Sequence, residues 1–429
     1  MKLVRSGLIP WSIILITASL IGSCASVRPA KLRKFINNEL QIPLHDHHFT
    51  GTYIIDAESG QVMYSKNAAK YFTPASNTKI ATLYSALKLI PEKVPALRAA
   101  SFGDTLIFSG TGDPSALHPV FQDSTLFNYL SEFRNLIWYS GNYQDEHFGP
   151  GWAWEDFPFG FSTERSVLPL YGNIAQFELQ DSLMVTPAIF NDSILPERGK
   201  PGRLEDRNLF SLPANFSDTI HIPFTQTTKV TAAILASLLD RHVIVRPEAY
   251  PGEMQLIPGY SRDSLCIKMM VDSDNFLAEQ LMILSSQMVS DTLSFSTAKD
   301  SVLHLLADLP NAPRWVDGSG LSRYNLFTPK WIVGLLHKLY EENSEDQLFR
   351  YFPAGGVSGT IDSWYGAEDG PFVFAKTGTL GNNYNLSGYL RTKKNRVFIF
   401  SIMNNHFRQP TDSIKSSIER TLTWIGTHY

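Results

Sequence analysis

The sequence predicts a mixed α/β (α+β) fold, in which an antiparallel sheet is flanked by helices and a mostly β insertion interrupts the chain. Three observations support this fold class. Strand-like segments occur near residue 52 and again near the C-terminus, helical periodicity lies between them, and residues 101–225 are rich in Gly, Pro and aromatic side chains. At 429 residues the chain is long enough for two domains, or for one domain that carries a large insertion.

The segments on either side of the insertion combine strand and helix patterns. Residues 52–55 and 61–64 predict a β-hairpin, and residues 76–90 predict a buried helix that follows the break at Thr73-Pro74-Ala75. The other predicted elements are helices at 229–239, 265–283 and 414–425 and strands at 372–375, 385–391 and 397–403. We therefore expect one domain from residues 24–100 and 226–429, and an inserted domain from residues 101–225.

The N-terminus has the pattern of an export signal. Lys2 and Arg5 precede an apolar run over residues 8–21 that is too short for a comfortable transmembrane span. The run leads into the tetrapeptide I-G-S-C, which ends at Cys24 and resembles the bacterial lipobox. Residues 1–23 are therefore predicted to be a lipoprotein signal peptide, and lipid on Cys24 would tether a periplasmic body to the inner or outer membrane. An ordinary signal with a chance cysteine is the alternative.

Composition is that of an ordinary globular protein, with 43% hydrophobic and 18% charged residues. The formal net charge is -4 without a long basic block, so the sequence lacks the phosphate-neutralising surface that a nucleic-acid partner requires. Besides Cys24 the only cysteine is Cys266, whose apolar neighbours predict a packing role. An exported chain with a lipidated Cys24 would therefore have no intramolecular disulfide.

Three S-x-x-K sequences each place a hydroxyl and an amine three positions apart, which on a helix brings them to one face. They begin at Ser76, Ser85 and Ser296. Only Ser76 follows a proline-containing break at a helix start, where unpaired backbone N–H groups and the helix dipole favour developing negative charge. Position therefore selects Ser76 and Lys79 as the candidate nucleophile and its neighbouring amine.

Two further tripeptides follow in order, Ser273-Asp274-Asn275 and Lys376-Thr377-Gly378. The order S-x-x-K, S-D-N, K-T-G is typical of serine β-lactamases and penicillin-binding proteins, and the chain therefore resembles that superfamily. Ser273 lies nearly two hundred positions after Ser76, far more than in the compact β-lactamases. This separation implies an inserted domain.

The residues around the motifs resemble one branch of the superfamily, the class C low-molecular-mass penicillin-binding proteins, which are D-alanyl-D-alanine carboxypeptidases and endopeptidases. The segments concerned are P-A-S-N-T-K at 74–79, G-D-P at 112–114, G-W-A-W-E-D at 151–156, D-G-S-G-L-S at 317–322 and K-T-G-T-L at 376–380. The likeness runs over residues 52–405 and implies a penicillin-binding transpeptidase-like domain. The insertion is shorter than is typical of the family, so the presence of a second nested inserted domain stays an open question.

The resemblance implies an acyl-enzyme mechanism on peptidoglycan stem peptides, with β-lactam antibiotics as substrate mimics. Ser76 would attack the carbonyl between two D-alanines, and Lys79 would take the serine proton. Lys79 must then be a neutral amine, which a nearby cation such as Lys376 would favour. Ser273 would relay a proton toward the leaving amine, and Asn275 would hold the peptide carbonyl or the Lys79 amine.

The same resemblance implies the substrate-binding residues. Thr377, Gly378 and Thr379, together with Lys376, would receive the terminal carboxylate of the substrate. The backbone N–H groups of Ser76 and Thr379 would bind the oxyanion.

Three remaining patterns are less specific. Asp156, next to aromatic residues, is a candidate for binding the basic side chain of the stem peptide, with aromatic packing of the insertion as the alternative. The run His45-Asp46-His47-His48 lacks the spacing of a closed zinc cage and predicts a solvated loop. Residues 317–322 are too short for a phosphate-binding fingerprint. We therefore predict neither a metal nor another cofactor.

Two other functions stay open from the sequence. A catalytically silent, penicillin-binding-like lipoprotein would only bind cell wall or partner proteins, although three intact motifs favour an enzyme. A β-lactamase would need fast deacylation, and the chain has no obvious E-x-x-L-N-type segment to supply a second water-activating glutamate. The balance between carboxypeptidase and endopeptidase action does not follow from these residues, because the same serine chemistry attacks both bonds.

Overall fold

A computed structural model describes residues 27–40, 47–196 and 199–429. The predicted signal peptide at residues 1–23 and the predicted lipidation at Cys24 lie outside the described residues. Within the described ranges, none of the helices combines the length and the apolar character that a membrane span requires.

The described elements are as follows in chain order. The α-helices are α1 (Val27–Leu40), α2 (Lys79–Leu89), α3 (Thr125–Ser131), α4 (Thr228–Leu239), α5 (Arg262–Val271), α6 (Asn275–Gln287), α7 (Phe295–Leu305), α8 (Pro329–Glu342), α9 (Glu345–Arg350) and α10 (Thr411–His428). The β-strands are β1 (Phe49–Asp56), β2 (Val62–Lys66), β3 (Lys93–Phe102), β4 (Thr105–Gly110), β5 (Asn135–Tyr139), β6 (Ile174–Leu179), β7 (Leu183–Thr186), β8 (Gly202–Arg203), β9 (Phe210–Ser211), β10 (Ile220–Pro223), β11 (Val243–Arg246), β12 (Gln255–Ser261), β13 (Val373–Leu380), β14 (Asn383–Arg391) and β15 (Val397–Asn405).

The main sheet has five antiparallel strands in the order β13-β14-β15-β1-β2. Successive strand residues point to opposite faces, and both faces of this sheet are covered. Ile54 and Phe398 belong to a core that includes residues of α1 and α10, whereas Ile55 and Ile399 belong to a core built with α2, α5, α6 and α8. The predicted antiparallel sheet flanked by helices is therefore confirmed.

A second core lies in the interrupted part of the chain and gathers residues from Leu97 to Val243. It contains a five-stranded sheet in the order β11-β5-β4-β3-β12 and a three-stranded sheet in the order β10-β6-β7, so the insertion is mostly β as predicted. The larger sheet begins at Lys93 and ends at Ser261, and so extends beyond the predicted insertion limits of 101 and 225 on both sides. The division into domains at those limits stays a prediction.

The prediction of one helix over residues 265–283 is wrong, because the chain breaks between α5 and α6. Ser273 has a φ of 61° in the left-handed region, and the Asp274 side chain accepts a 2.9 Å hydrogen bond from the backbone N–H of Leu277. Asp and Ser are favoured at such helix caps because their short side chains satisfy unpaired N–H groups. The break places Ser273 and Asn275 on a corner instead of on one helix.

The helix predicted over residues 76–90 is present with a different first turn. Ala75–Thr78 forms a 3₁₀ turn, and the α-helix α2 begins at Lys79. Ala75 has a φ of 48°, so the chain reverses sharply just before Ser76.

Candidate active site

The three sequence motifs meet at one edge of the main sheet, where the 3₁₀ turn that carries Ser76 packs against β13. The amide of Asn77 donates a 2.9 Å hydrogen bond to the carbonyl oxygen of Lys376, and the Ser387 hydroxyl donates a 2.6 Å bond to Asn77 Oδ1. A Cβ atom on Gly378 would overlap the carbonyl oxygen of Pro74. Glycine at this position therefore lets the strand lie directly against the turn.

Lys79 is fully buried and its amine faces Ser76. The Nζ atom lies 3.0 Å from Ser76 Oγ, 2.6 Å from Asn275 Oδ1 and 2.7 Å from the carbonyl oxygen of Ser319. Burial lowers the pKa of Lys79 to about 8, although the carboxylates of Asp317, Asp274 and Glu279 act in the opposite direction. The structure thus brings together three predicted site residues, Ser76, Lys79 and Asn275.

Lys376 faces the other predicted hydroxyl, since its Nζ atom donates a 2.9 Å hydrogen bond to Ser273 Oγ and a 3.1 Å bond to the carbonyl oxygen of Thr377. Burial, and next the charge of Lys79, hold the pKa of Lys376 well below its usual range. The sequence predicted Lys376 as a nearby cation that would favour the neutral form of Lys79. In the structure, burial is the first cause of the low pKa of both amines.

The loop at residues 317–322 forms one wall behind Lys79. The Asp317 carboxylate accepts bonds from the backbone N–H groups of Gly320 at 2.8 Å and Ser322 at 2.6 Å. The backbone N–H of Ser319 donates a 2.8 Å bond to Glu279 in α6. Because the Ser319 carbonyl contacts Lys79, these bonds fix one of the three acceptors around the amine.

Residues of the insertion reach the same loop. Trp152 Nε1 donates a 2.9 Å hydrogen bond to Asp317, and the Asn275 amide donates a 2.8 Å bond to the carbonyl oxygen of Phe161. Buried Arg165 lies 3.6 Å from Glu279. The insertion therefore contacts the residues around Lys79 directly.

Asp156 lies in the short 3₁₀ turn Trp154–Asp156 of this same segment and is partly buried. Burial, together with the charge of Glu155, raises the pKa of Asp156, and Arg323 opposes this effect. Asp156 is not among the residues that line the cleft at Ser76. Its predicted contact with substrate stays a prediction.

A cleft opens beside the nucleophile. It is lined by Ser76, Ser273, Thr360, Thr377, Thr379, Tyr384 and Lys415. Thr360, Tyr384 and Lys415 were not predicted from the sequence. Tyr384 pairs with Thr379 across β13 and β14, so the hairpin register is the signal that connects it with the K-T-G motif. Thr360 and Lys415 lie outside every motif, and no sequence pattern indicated them.

Within residues 27–40, 47–196 and 199–429, no group of three or more His, Cys, Asp or Glu side chains is placed to hold a metal ion. In the predicted polar run, His48 Nε2 lies 3.2 Å from Thr50 Oγ1 and 3.3 Å from Asn404 Oδ1, while His45 and Asp46 fall outside the described residues.

A serine hydroxyl beside a buried lysine amine, with a second serine beside a second buried lysine, defines a serine acyl-transfer enzyme of the penicillin-binding type. The chain belongs to the D-Ala-D-Ala carboxypeptidase 3 (S13) peptidase family, whose model matches residues 32–193 and 262–423. The protein is therefore a serine-type D-Ala-D-Ala carboxypeptidase, as the sequence predicted.

Individual proteins agree with this family. The chain is 23% identical over 420 residues to the D-alanyl-D-alanine carboxypeptidase DacB of Haemophilus influenzae, with 84% of this chain and 85% of that protein covered. It is also 23% identical to the D-alanyl-D-alanine carboxypeptidase of an Actinomadura species, over 91% of this chain and 84% of that protein. The crystal structure of penicillin binding protein 4 (dacB) from Haemophilus influenzae superposes with a TM-score of 0.74 at 20% identity, covering 92% and 99% of the two chains, which confirms the predicted fold class.

Proposed function

We propose that this carboxypeptidase removes the terminal D-alanine of peptidoglycan stem peptides through an acyl-enzyme on Ser76, with Lys79 as the general base. The observation that carries the proposal is the 3.0 Å contact between Lys79 Nζ and Ser76 Oγ inside a buried site. An amine whose pKa lies near 8 holds a useful fraction of its neutral form at physiological pH, and only that form accepts the serine proton.

In the acylation step, Ser76 Oγ forms a bond to the carbonyl carbon of the penultimate D-alanine while its proton passes to Lys79. The developing oxyanion accepts hydrogen bonds from the backbone N–H groups of Ser76 and Thr379. The carbon–nitrogen bond then breaks, and the leaving amine takes the proton that Lys79 received, relayed through the Ser273 hydroxyl, which Lys376 holds at 2.9 Å. Asn275 keeps the Lys79 amine in position through their 2.6 Å bond.

Thr377 and Thr379 face the cleft from β13 and receive the carboxylate of the leaving D-alanine, and Gly378 allows the strand to lie close to Ser76. Lys79, neutral again, then takes a proton from a water molecule as that water attacks the acyl-enzyme ester. It returns the proton to Ser76 Oγ as the ester bond breaks and the acid product leaves. The same steps cleave a D-alanyl cross-link when the leaving amine belongs to a neighbouring stem. Endopeptidase action is therefore a second activity of the same site.

Exposure to a fluorescent penicillin, followed by intact-mass measurement, tests this proposal. We expect one covalent adduct on the wild-type protein, none on Ser76→Ala, and an undiminished adduct on the control Ser296→Ala, which alters another S-x-x-K serine. No adduct on the wild type would favour the catalytically silent lipoprotein, and an adduct that survives Ser76→Ala would refute the nucleophile. Rapid turnover of a chromogenic cephalosporin would favour a β-lactamase instead.

We also propose that Asp156 binds the basic side chain of the stem peptide. The support is its place in the G-W-A-W-E-D segment, because the neighbouring Trp152 bonds to the loop that contacts Lys79. The test compares lysine- or diaminopimelate-containing peptides with peptides that carry an uncharged residue there. Asp156→Ala should lower kcat/KM for the basic peptides alone, and an unchanged preference would remove the proposal.

For localisation, we propose a periplasmic enzyme that is anchored by lipid on Cys24. The apolar run and the I-G-S-C tetrapeptide support this proposal. Growth with an alkyne fatty acid should label the wild-type protein and not Cys24→Ala. Label on Cys24→Ala, or export without any label on the wild type, would contradict the anchor.

A further inference from the structure

Lys415 is the one charged residue among the described residues that line the cleft at Ser76. It lies in α10, and α10 packs against β14 of the main sheet. No carboxylate side chain is part of this wall. Lys415 therefore contributes a cationic side chain to the lining of the cleft, and an anionic group of the bound molecule fits there.

Aromatic rings hold the Lys415 ammonium group in place. Its Nζ atom lies 5.0 Å from the centre of the Trp364 ring and 5.8 Å from the centre of the Tyr384 ring. Cations at these distances are attracted to the negative face of the ring. Its acidic neighbour, Asp412, is 3.4 Å away and largely exposed, so the ion pair between them is weak.

The position along the sheet indicates which end of the substrate Lys415 meets. Tyr384 on β14 pairs with Thr379 on β13, so the Lys415 ammonium next to the Tyr384 ring lies at the Thr379 end of the K-T-G-T segment. Thr377 lines the same wall and exchanges a 2.7 Å hydrogen bond with Thr360. Thr377 and Thr379 are the residues at which the carboxylate of the leaving residue is proposed to bind.

The two other lysines of the site have different partners. The Lys79 amine is surrounded by three acceptors, and Lys376 donates to Ser273 and to its neighbouring carbonyl. Both are buried and have depressed pKa values, so neither supplies a permanent positive charge to the cleft. Lys415, in contrast, is partly exposed and lines the cleft.

We propose that Lys415 is a specificity-determining residue, whose ammonium group binds the carboxylate next to the scissile bond. This inference rests on the proposed function, because it takes the leaving residue to occupy the K-T-G-T wall. It predicts that the enzyme selects leaving residues with a free carboxylate and discriminates against stems in which that carboxylate is amidated.

The test compares an acyl-D-Ala-D-Ala peptide with its C-terminal carboxamide, on wild type, Lys415→Gln and Lys415→Arg. We expect Lys415→Gln to lower kcat/KM for the acid by about 10- to 100-fold, chiefly through KM, which corresponds to the loss of one charge-assisted hydrogen bond. The loss on the carboxamide should be much smaller, and Lys415→Arg should restore most of the preference. The exposed Lys393→Gln serves as the matched control, since Lys393 pairs with Asp369 away from the cleft.

An equal loss on both peptides, or an unchanged kcat/KM for the acid, would overturn the role of Lys415. The fluorescent penicillin adduct separates this outcome from failure of the proposed function. If the wild type forms no adduct on Ser76, the proposed function fails first; if it does form one while the acid preference is unchanged in Lys415→Gln, only the Lys415 inference fails. Thermal unfolding of each variant excludes loss of the fold as the cause.

Discussion

The Lys79 amine lies 3.0 Å from the Ser76 hydroxyl, and the Lys79 side chain is fully buried. The contact joins the first residue of α2 to the 3₁₀ turn that precedes it. In this geometry the proposed nucleophile and its proposed base lie within a single hydrogen bond, and the remaining bonds of the amine go to acceptors on two other elements. These hydrogen bonds hold the Lys79 amine in position before substrate binds.

Replacement of Lys79 by Arg should abolish acylation. A guanidinium stays protonated at any accessible pH and cannot accept the proton of Ser76. We expect a fall of about 10²- to 10⁴-fold in the second-order rate of penicillin adduct formation, the range that general-base catalysis contributes. Mass spectrometry of samples quenched at successive times measures this rate. The control Lys88→Arg changes the lysine of a different S-x-x-K sequence, which is exposed, and should react like the wild type. Retention of the wild-type rate by Lys79→Arg would exclude Lys79 as the base.

Acylation should depend on pH through Lys79. Burial lowers its pKa to about 8, and the neutral amine is the form proposed to accept the Ser76 proton. Below that pKa the ammonium form dominates, so the rate should fall about tenfold for each pH unit and level off above it. Adduct formation measured from about pH 6 to about pH 9.5 provides the check. A rate that is flat across this range, or that falls as the pH rises, would contradict the assignment.

The motifs predicted the centre of the site but not its surroundings. Ser76, Lys79, Ser273, Asn275 and Lys376 converge as expected, because each motif fixes the spacing of its own residues and the motifs occur in a fixed order. The local structure at the second motif was mispredicted. The apolar periodicity continues through residues 265–283, and this pattern alone does not reveal that the polar residues at 272–275 break the helix.

Long-range pairings account for what the sequence did not predict. Strand β12 pairs with β3 although more than 150 residues lie between them, so the true extent of the larger inserted sheet has no local signal. Lys415 likewise reaches the cleft only because α10 packs back on β14. Glu279 and Arg165 each belong to an ordinary stretch of sequence, and only the folded chain brings their charges together.

The Arg165–Glu279 contact should be essential for stability. Both side chains are almost fully buried, the two charged groups lie 3.6 Å apart, and Glu279 also accepts the backbone N–H of Ser319. Glu279→Ala leaves buried Arg165 with Asp145, 3.4 Å away, as its remaining carboxylate partner, and leaves the Ser319 backbone N–H without its acceptor, so it should lower the free energy of unfolding by about 2–3 kcal/mol. Denaturant unfolding measures this change. Asp369→Ala, which breaks the exposed pair with Lys393, is the control and should change stability far less. Equal effects of the two variants would show that the buried pair has no special role.

The close contact between β13 and the nucleophile turn should require glycine at position 378. A Cβ atom on Gly378 would overlap the carbonyl oxygen of Pro74 and lie 3.0 Å from the backbone nitrogen of Asn77, so either the strand or the turn must shift. Because 1 Å of misplacement can cost about 10²-fold in rate, Gly378→Ala should reduce penicillin acylation of Ser76 by about that factor. Gly381 has open space where a Cβ would go, so Gly381→Ala is a matched control that should react like the wild type. Adduct formation and thermal unfolding are measured on both variants. If Gly378→Ala is acylated at the wild-type rate, the contact between β13 and the Ser76 turn does not position the nucleophile.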